Sequence, residues 1–182
     1  MKILRRTQFG NPILRETARQ LTAAEITSES IQELIIDMRH TLAQKKLGVG
    51  LAAPQVGKSL ALTVIHVQPT ESRPDVLPFE AVLINPIITK YSGQQSDMWE
   101  GCISGGSSGT ADLFAKTPRN NSIEVTYLDE RGKKRHEKFK GLQAQIVQHE
   151  VDHLNGILFV DHVTDTRSYT TYAEYMKRVV SQ

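Results

Sequence analysis

The stretch Leu142-Gln143-Ala144-Gln145-Ile146-Val147-Gln148-His149-Glu150-Val151-Asp152-His153 carries two histidines four residues apart at the end of an apolar stripe. Side chains at i and i+4 of an α-helix lie one above the other, so Leu142, Ile146, His149 and His153 are predicted to share one face. Burying two imidazoles without partners is costly. One metal ion held by both removes that cost and leaves Glu150 beside it. The competing reading is a solvated helix with two surface histidines, which the apolar company of Leu142 and Ile146 disfavours. Asn155-Gly156 supplies a C-terminal stop.

Working outward, Ser30 to Glu33 reads as a capping box, followed by Ile31, Leu34, Ile35, Met38 and Leu42 at helical spacing up to Gly48. Leu60 to Val67 and Ala81 to Thr89 read as strands, the second interrupted by Asn85-Pro86, which suits an edge strand or a bend. Gln68 to Pro78 and the polar stretch around Gly93 read as loops. Ile123, Val125 and Tyr127 alternate with polar residues and predict a hairpin with Lys133 to Phe139, turned at Asp129-Glu130-Arg131-Gly132. Tyr172 to Val180 reads as a last helix. Strands and helices do not alternate regularly, which predicts an α+β fold, mostly antiparallel.

Composition narrows the class. A chain of 182 residues, 39% of them hydrophobic, can bury its own core, and a single domain over residues 1–182 is expected. A formal net charge of +2 is too balanced for a chain that coats nucleic acid. Cys102 is the sole cysteine, so no intrachain disulfide can form. No window is apolar enough for a membrane span, and Met1 to Arg15 lacks the apolar centre of a signal peptide; a cytoplasmic location is expected.

A catalytic metal held by two helical histidines needs a third protein ligand and keeps a position open for water. His162 and Glu174 are available without a recognisable motif. Cys102, in Glu100-Gly101-Cys102-Ile103-Ser104, is the better candidate, since a cation stabilises a thiolate and glycine permits a close turn. Gly48 to Gln55 superficially resembles a dinucleotide fingerprint, but it follows a helix and places Pro54 where the phosphate-binding helix would continue. Close backbone approach to a small ligand fits better, and Gln55 adds an amide able to donate to an oxyanion.

In order, Gly48 to Gln55, Glu100 to Ser104 and His149 to His153 resemble the three signature motifs of peptide deformylases. Gly10 to Arg15, Ile84-Asn85-Pro86 and the flanking Gln148 and Leu154 extend the likeness over most of the chain. The resemblance implies antiparallel sheets packed around the helix that carries both histidines. It implies a hydrolase that removes formyl from N-formylmethionyl peptides and releases formate. By the same resemblance Cys102, His149 and His153 hold one divalent ion, iron(II) natively with zinc(II) or nickel(II) as alternatives, and Glu150 moves the proton. The Gln55 amide and the Ile103 backbone N–H stabilise the oxyanion, Val49 and Gly50 bind the peptide, and Glu100 pairs with Arg119. Asp152 orients the helix or a histidine without ligating. The partners expected are the formylmethionyl peptide and, with the basic Lys177 and Arg178 as the candidate contact, the ribosome; a monomer is expected, with no membrane or nucleic-acid contact.

One segment departs from the family pattern. After Ser104 the chain reads Gly105-Gly106-Ser107-Ser108-Gly109-Thr110, and no arginine intervenes before Arg119. This predicts a loose groove wall, so that peptide residues beyond the first add little binding energy, unless Leu113, Phe114 or Lys116 replaces the missing contacts.

Overall fold

The computed structural model describes residues 1–44, 48–70, 75–106 and 111–180. Its larger sheet takes the order β1 (Gly50–Ala52), β2 (Leu62–Val67), β3 (Phe79–Tyr91), β6 (Ser122–Leu128) and β7 (Lys134–Lys140), all neighbours antiparallel. The smaller one joins β4 (Gln95–Gly101), β5 (Leu113–Asn120) and β8 (Thr170–Thr171), also antiparallel. Two long helices are α2 (Glu29–Ala43) and α3 (Gly141–Leu154), and two short ones are α1 (Ala23–Ile26) and α4 (Tyr172–Tyr175). The expected α+β class with antiparallel sheets is what the chain adopts. No helix among the described residues is long and apolar enough to cross a membrane.

Strand periodicity explains how the core positions the site. Successive strand residues point to opposite faces. Leu62 and Val64 of β2 therefore pack with Ile31, Ile35, Met38 and Leu42 of α2, whereas Ile65 and Val67 pack with Ile146, Val147 and Val151 of α3. Thr63 belongs to the α3 face by the same alternation. The sheet is thus buried on both sides, and α3 lies between it and β5 of the smaller sheet.

Three local expectations are corrected. The α2 cap is Ser28, not Ser30, and Ser28 makes no side-chain cap bond; its hydroxyl instead donates to the Glu25 carbonyl at 2.6 Å. The reciprocal capping box sits one element earlier, at Thr22 and Glu25. The strand holding Asn85-Pro86 is the middle of its sheet, not an edge. Proline is tolerated there because pairing with β2 ends at Ile84, while the ladder to β6 skips from Ile84 to Ile87. Asn85 takes a left-handed φ of 51° at this bulge, and its side chain satisfies both backbone groups of Leu21 at 2.9 and 2.8 Å. Finally, the last helix changes pitch: α4 is followed by π-type turns over Met176–Val180.

Candidate metal and catalytic site

Helix α3 brings His149 and His153 to one face, as the i, i+4 spacing predicts, and their rings meet edge to face at 4.9 Å. The end of β4 delivers Cys102 to the same place. One donor atom from each of Cys102, His149 and His153 lies within 4.8 Å of the others. Cys102 Sγ is 3.2 Å from His153 Nε2. His153 Nδ1 is buried with no hydrogen-bond partner among the described residues. One soft sulfur and two imidazole nitrogens form a donor set suited to zinc or iron(II), so the residues present fit a metal ion.

The charges around this trio follow from burial and proximity. Burial alone would push the Cys102 thiol up, but His153 and His149 beside it hold it well below the usual thiol range. Burial would likewise lower His149, yet Cys102 and Glu100 raise it well above the ordinary imidazole value. Glu150 is the opposite case: burial raises its pKa, and the two histidines only partly offset this. A group held this way is a better proton acceptor than an exposed carboxylate.

Neighbouring residues fix these groups in place. Glu150 Oε2 lies 3.1 Å from Thr63 Oγ1, which is also 3.1 Å from the Leu51 carbonyl. Thr63 has one hydroxyl proton and two acceptors, so it can donate to an ionised Glu150 or accept from a protonated one while turning to Leu51. Gly50 provides the room: a Cβ there would lie 2.2 Å from Glu150 Oε1. On the other side of Cys102, the Ala52 N–H donates to Gln55 Oε1 at 2.8 Å. The Gln55 Nε2 is thereby aimed at Cys102 Sγ, 3.4 Å away, and at Ser104 Oγ, 3.2 Å away. The Ser104 N–H also donates to the sulfur, at 3.4 Å.

Glu100 and Arg119 form a two-pronged buried pair, Nε to Oε1 at 2.7 Å and Nη2 to Oε2 at 3.0 Å. Glu100 Oε2 is also 2.9 Å from His149 Nδ1, which leaves Nε2 of that ring for a ligand. The other end of Arg119 donates to Asp152 at 2.6 Å, and Asp152 in turn meets His162 Nε2 at 2.9 Å. Asp152 therefore sits between Arg119 and His162, and neither Asp152 nor His162 belongs to the trio of donors. Replacing Arg119 by alanine would strand the Glu100 carboxylate in the interior. We expect about 3–5 kcal/mol of lost stability in urea unfolding and roughly 10–100-fold weaker metal affinity by chelator competition. Unchanged affinity in a folded Arg119→Ala protein would separate the pair from the metal site.

Two supports had no sequence signature. The N-terminal run Arg6 to Phe9 crosses between the segments that hold Gln55 and Cys102. Thr7 bonds the Gln55 carbonyl through its N–H at 2.8 Å and that of Pro54 through its hydroxyl at 3.0 Å. Arg6 donates to the Ile103 carbonyl, Phe9 N to Ser104 O at 2.9 Å, and Gln8 Nε2 to Gly106 O at 2.9 Å. Thr63 was legible only as part of a strand. Gly105 and Gly106 are held against this N-terminal run, Gly105 facing the Phe9 ring; Ser107 to Thr110, the rest of the divergent segment, lie outside the described residues. A pocket of about 180 Å³ opens over the site between Val49, Gly50, Ile103, Leu142 and Ile146.

Comparison with known proteins places these features in one family. A family model described as polypeptide deformylase matches residues 3–169. Peptide deformylase 2 of Nostoc sp. is 36% identical over 173 residues, 94% of this chain and 92% of the relative. Peptide deformylase of Leptospira biflexa is 34% identical over 171 residues, 93% of this chain and 92% of its own length. Among solved structures, the Met-Ala-Ser-bound class I type b peptide deformylase of Acinetobacter baumannii has a TM-score of 0.81 at 34% identity, covering 88% of this chain and 98% of that one. The Thermotoga maritima peptide deformylase has a TM-score of 0.74 at 32% identity, with 91% and 100% coverage.

Proposed function

This chain belongs to the polypeptide deformylase family, and from that premise we propose how its residues divide the work. The protein is a metal-dependent hydrolase that removes the formyl group from the N-terminus of nascent peptides. Cys102, His149 and His153 hold one divalent ion. The observation that carries this reading is the convergence of one thiol and two imidazoles within 4.8 Å, with Glu150 and Gln55 in the same pocket. When bound, the ion supplies Lewis-acid activation of water and of the formyl carbonyl.

The remaining steps belong to the chain's own groups. Glu150 takes the proton of the attacking water and passes it to the leaving amine, so formate and a free N-terminus result. Gln55 Nε2, oriented by Ala52, and the Ile103 N–H donate to the carbonyl oxygen as negative charge develops; one such donor typically contributes ~3 kcal/mol of barrier lowering. Among the described residues β1 pairs with β2 only; the Val49 carbonyl just before it already accepts from the His66 N–H at 3.0 Å, so by alternation Gly50 turns its backbone groups to the open edge for an extended peptide, and Val49 lines the pocket. The crystal structure of the Acinetobacter relative, which holds Met-Ala-Ser, supports an N-terminal methionyl peptide as the ligand.

Protein purified without air should carry one metal per chain and release one formate per formyl-Met peptide. Cleavage of internal peptide bonds without formate would favour a metalloprotease instead. We assign iron(II) as the native ion. Accordingly, peroxide should inactivate the native enzyme while zinc- or nickel-reconstituted protein resists. Equal sensitivity of every metal form would argue against iron as the site of damage.

A further inference from the structure

The family match ends at residue 169, yet the pocket does not. Its lining includes Tyr175, Met176 and Val180, all from the C-terminal segment, together with Trp99 and Phe114 and with Leu142, Ile146 and Glu150 of α3. Several contacts fasten that segment. Thr170 and Thr171 pair with Phe114 and Leu113 as β8 on β5, and Tyr172 N donates to Asp112 O at 3.2 Å. The Tyr175 ring then stacks on Phe114, centroids 4.3 Å apart and 4° from parallel, and meets Trp99 edge to face at 5.6 Å. Phe114 in turn fills the space left by the missing side chain of Gly101, where a Cβ would lie 2.6 Å from its ring. A continuous stack therefore runs from the residue preceding Cys102 to the C-terminal segment.

The chemistry of this wall is apolar and polarisable. Three aromatic side chains, Trp99, Phe114 and Tyr175, and the thioether of Met176 line a cavity of about 180 Å³, smaller than the ~300–1,000 Å³ that encloses a drug-sized ligand. One side chain fits, not several residues. A slender thioether chain gains sulfur–aromatic contacts against Trp99 and Tyr175, whereas a ring or a β-branched chain would have to displace Tyr175 from Phe114.

We propose that the C-terminal segment Thr170–Val180 closes the substrate pocket, with Tyr175 and Met176 as specificity-determining residues that admit the unbranched side chain of an N-terminal methionine and exclude bulkier ones. The proposal rests on reading the pocket as a formylmethionyl-peptide site. Two readouts keep the two claims apart.

Trp99 is the single tryptophan of the chain, so its fluorescence reports occupancy of this pocket without any catalysis. Titration of the metal-loaded protein with the tripeptide Met-Ala-Ser should change the emission, and Tyr175→Ala or Met176→Ala should weaken that binding roughly tenfold. In formate release, both variants should lower the preference in kcat/KM for formyl-Met-Ala-Ser over formyl-Phe-Ala-Ser by a similar factor, with metal content unchanged. Tyr175→Phe, which retains the ring, should retain the preference. If the wild-type protein binds the tripeptide but releases no formate, the deformylase reading fails while the wall is still judged by the fluorescence titrations. Wild-type fluorescence indifferent to the tripeptide would overturn the wall, as would alanine variants that bind and discriminate like the wild type. Should Tyr175→Ala not fold, Met176→Ala and Tyr175→Phe carry the comparison.

Discussion

Glu150→Gln is expected to keep near-stoichiometric metal while losing formate release by roughly a thousandfold or more. The amide has the same shape as the carboxylate, so it still fits beside the Gly50 backbone and within reach of the Thr63 hydroxyl. It cannot accept and return a proton. The ligands proposed for the ion are elsewhere, on Cys102, His149 and His153, so metal content is expected to hold. Substantial turnover by a metal-loaded Glu150→Gln protein would falsify the assignment of Glu150 as the proton carrier.

The converse outcome is expected for Cys102→Ala and His149→Ala: metal content near background, and formate release lost with it. Cys102 is 1% exposed and receives donors from Gln55 and Ser104 that suit a thiolate. Alanine offers no lone pair and leaves two imidazoles, one fewer than the three protein ligands usual for a catalytic site of this type. His149→Ala additionally takes from Glu100 the ring nitrogen 2.9 Å away, leaving the buried carboxylate with Arg119 as its side-chain partner among the described residues. That variant should therefore lose more thermal stability than Cys102→Ala as well as its metal. Elemental analysis beside thermal unfolding checks both. Retention of stoichiometric metal in Cys102→Ala would point to another third ligand.

Much of the site could be read locally because its geometry is local. The spacing of His149 and His153 and the single cysteine follow from rules acting over a few residues, whereas the room that Gly50 leaves for Glu150 joins positions far apart in the chain and was not read. Other features resisted reading for physical reasons. β4 and β5 escaped because β4 opens with the exposed polar residues Gln95 to Asp97, and β5 contains Lys116 and Pro118. Pro118 is tolerated since β8 reaches only Leu113 and Phe114, leaving that flank of β5 without a ladder partner in β8. For β3, Asn85-Pro86 suggested an edge strand or a bend because a proline normally removes a ladder bond; the strand is central and the chain bulges there, which depends on where β2 stops and how β6 shifts. The Arg6 to Phe9 run bonds mainly to backbone carbonyls of distant loops, and such contacts impose no periodicity.

By itself the sequence determined the class of fold, the helix face that presents two histidines, and the identity of the groups able to bind a metal and move a proton. Those properties are set by side-chain chemistry and by the fixed pitch of a helix. Only the tertiary structure decided that Cys102 meets His153 across a separation of 51 residues, that Thr63 faces Glu150, and that the Tyr175 ring stacks on Phe114 in the lining of the pocket. Each of these depends on how sheets and helices bury their apolar faces together, a global balance of packing that no short stretch of chain encodes.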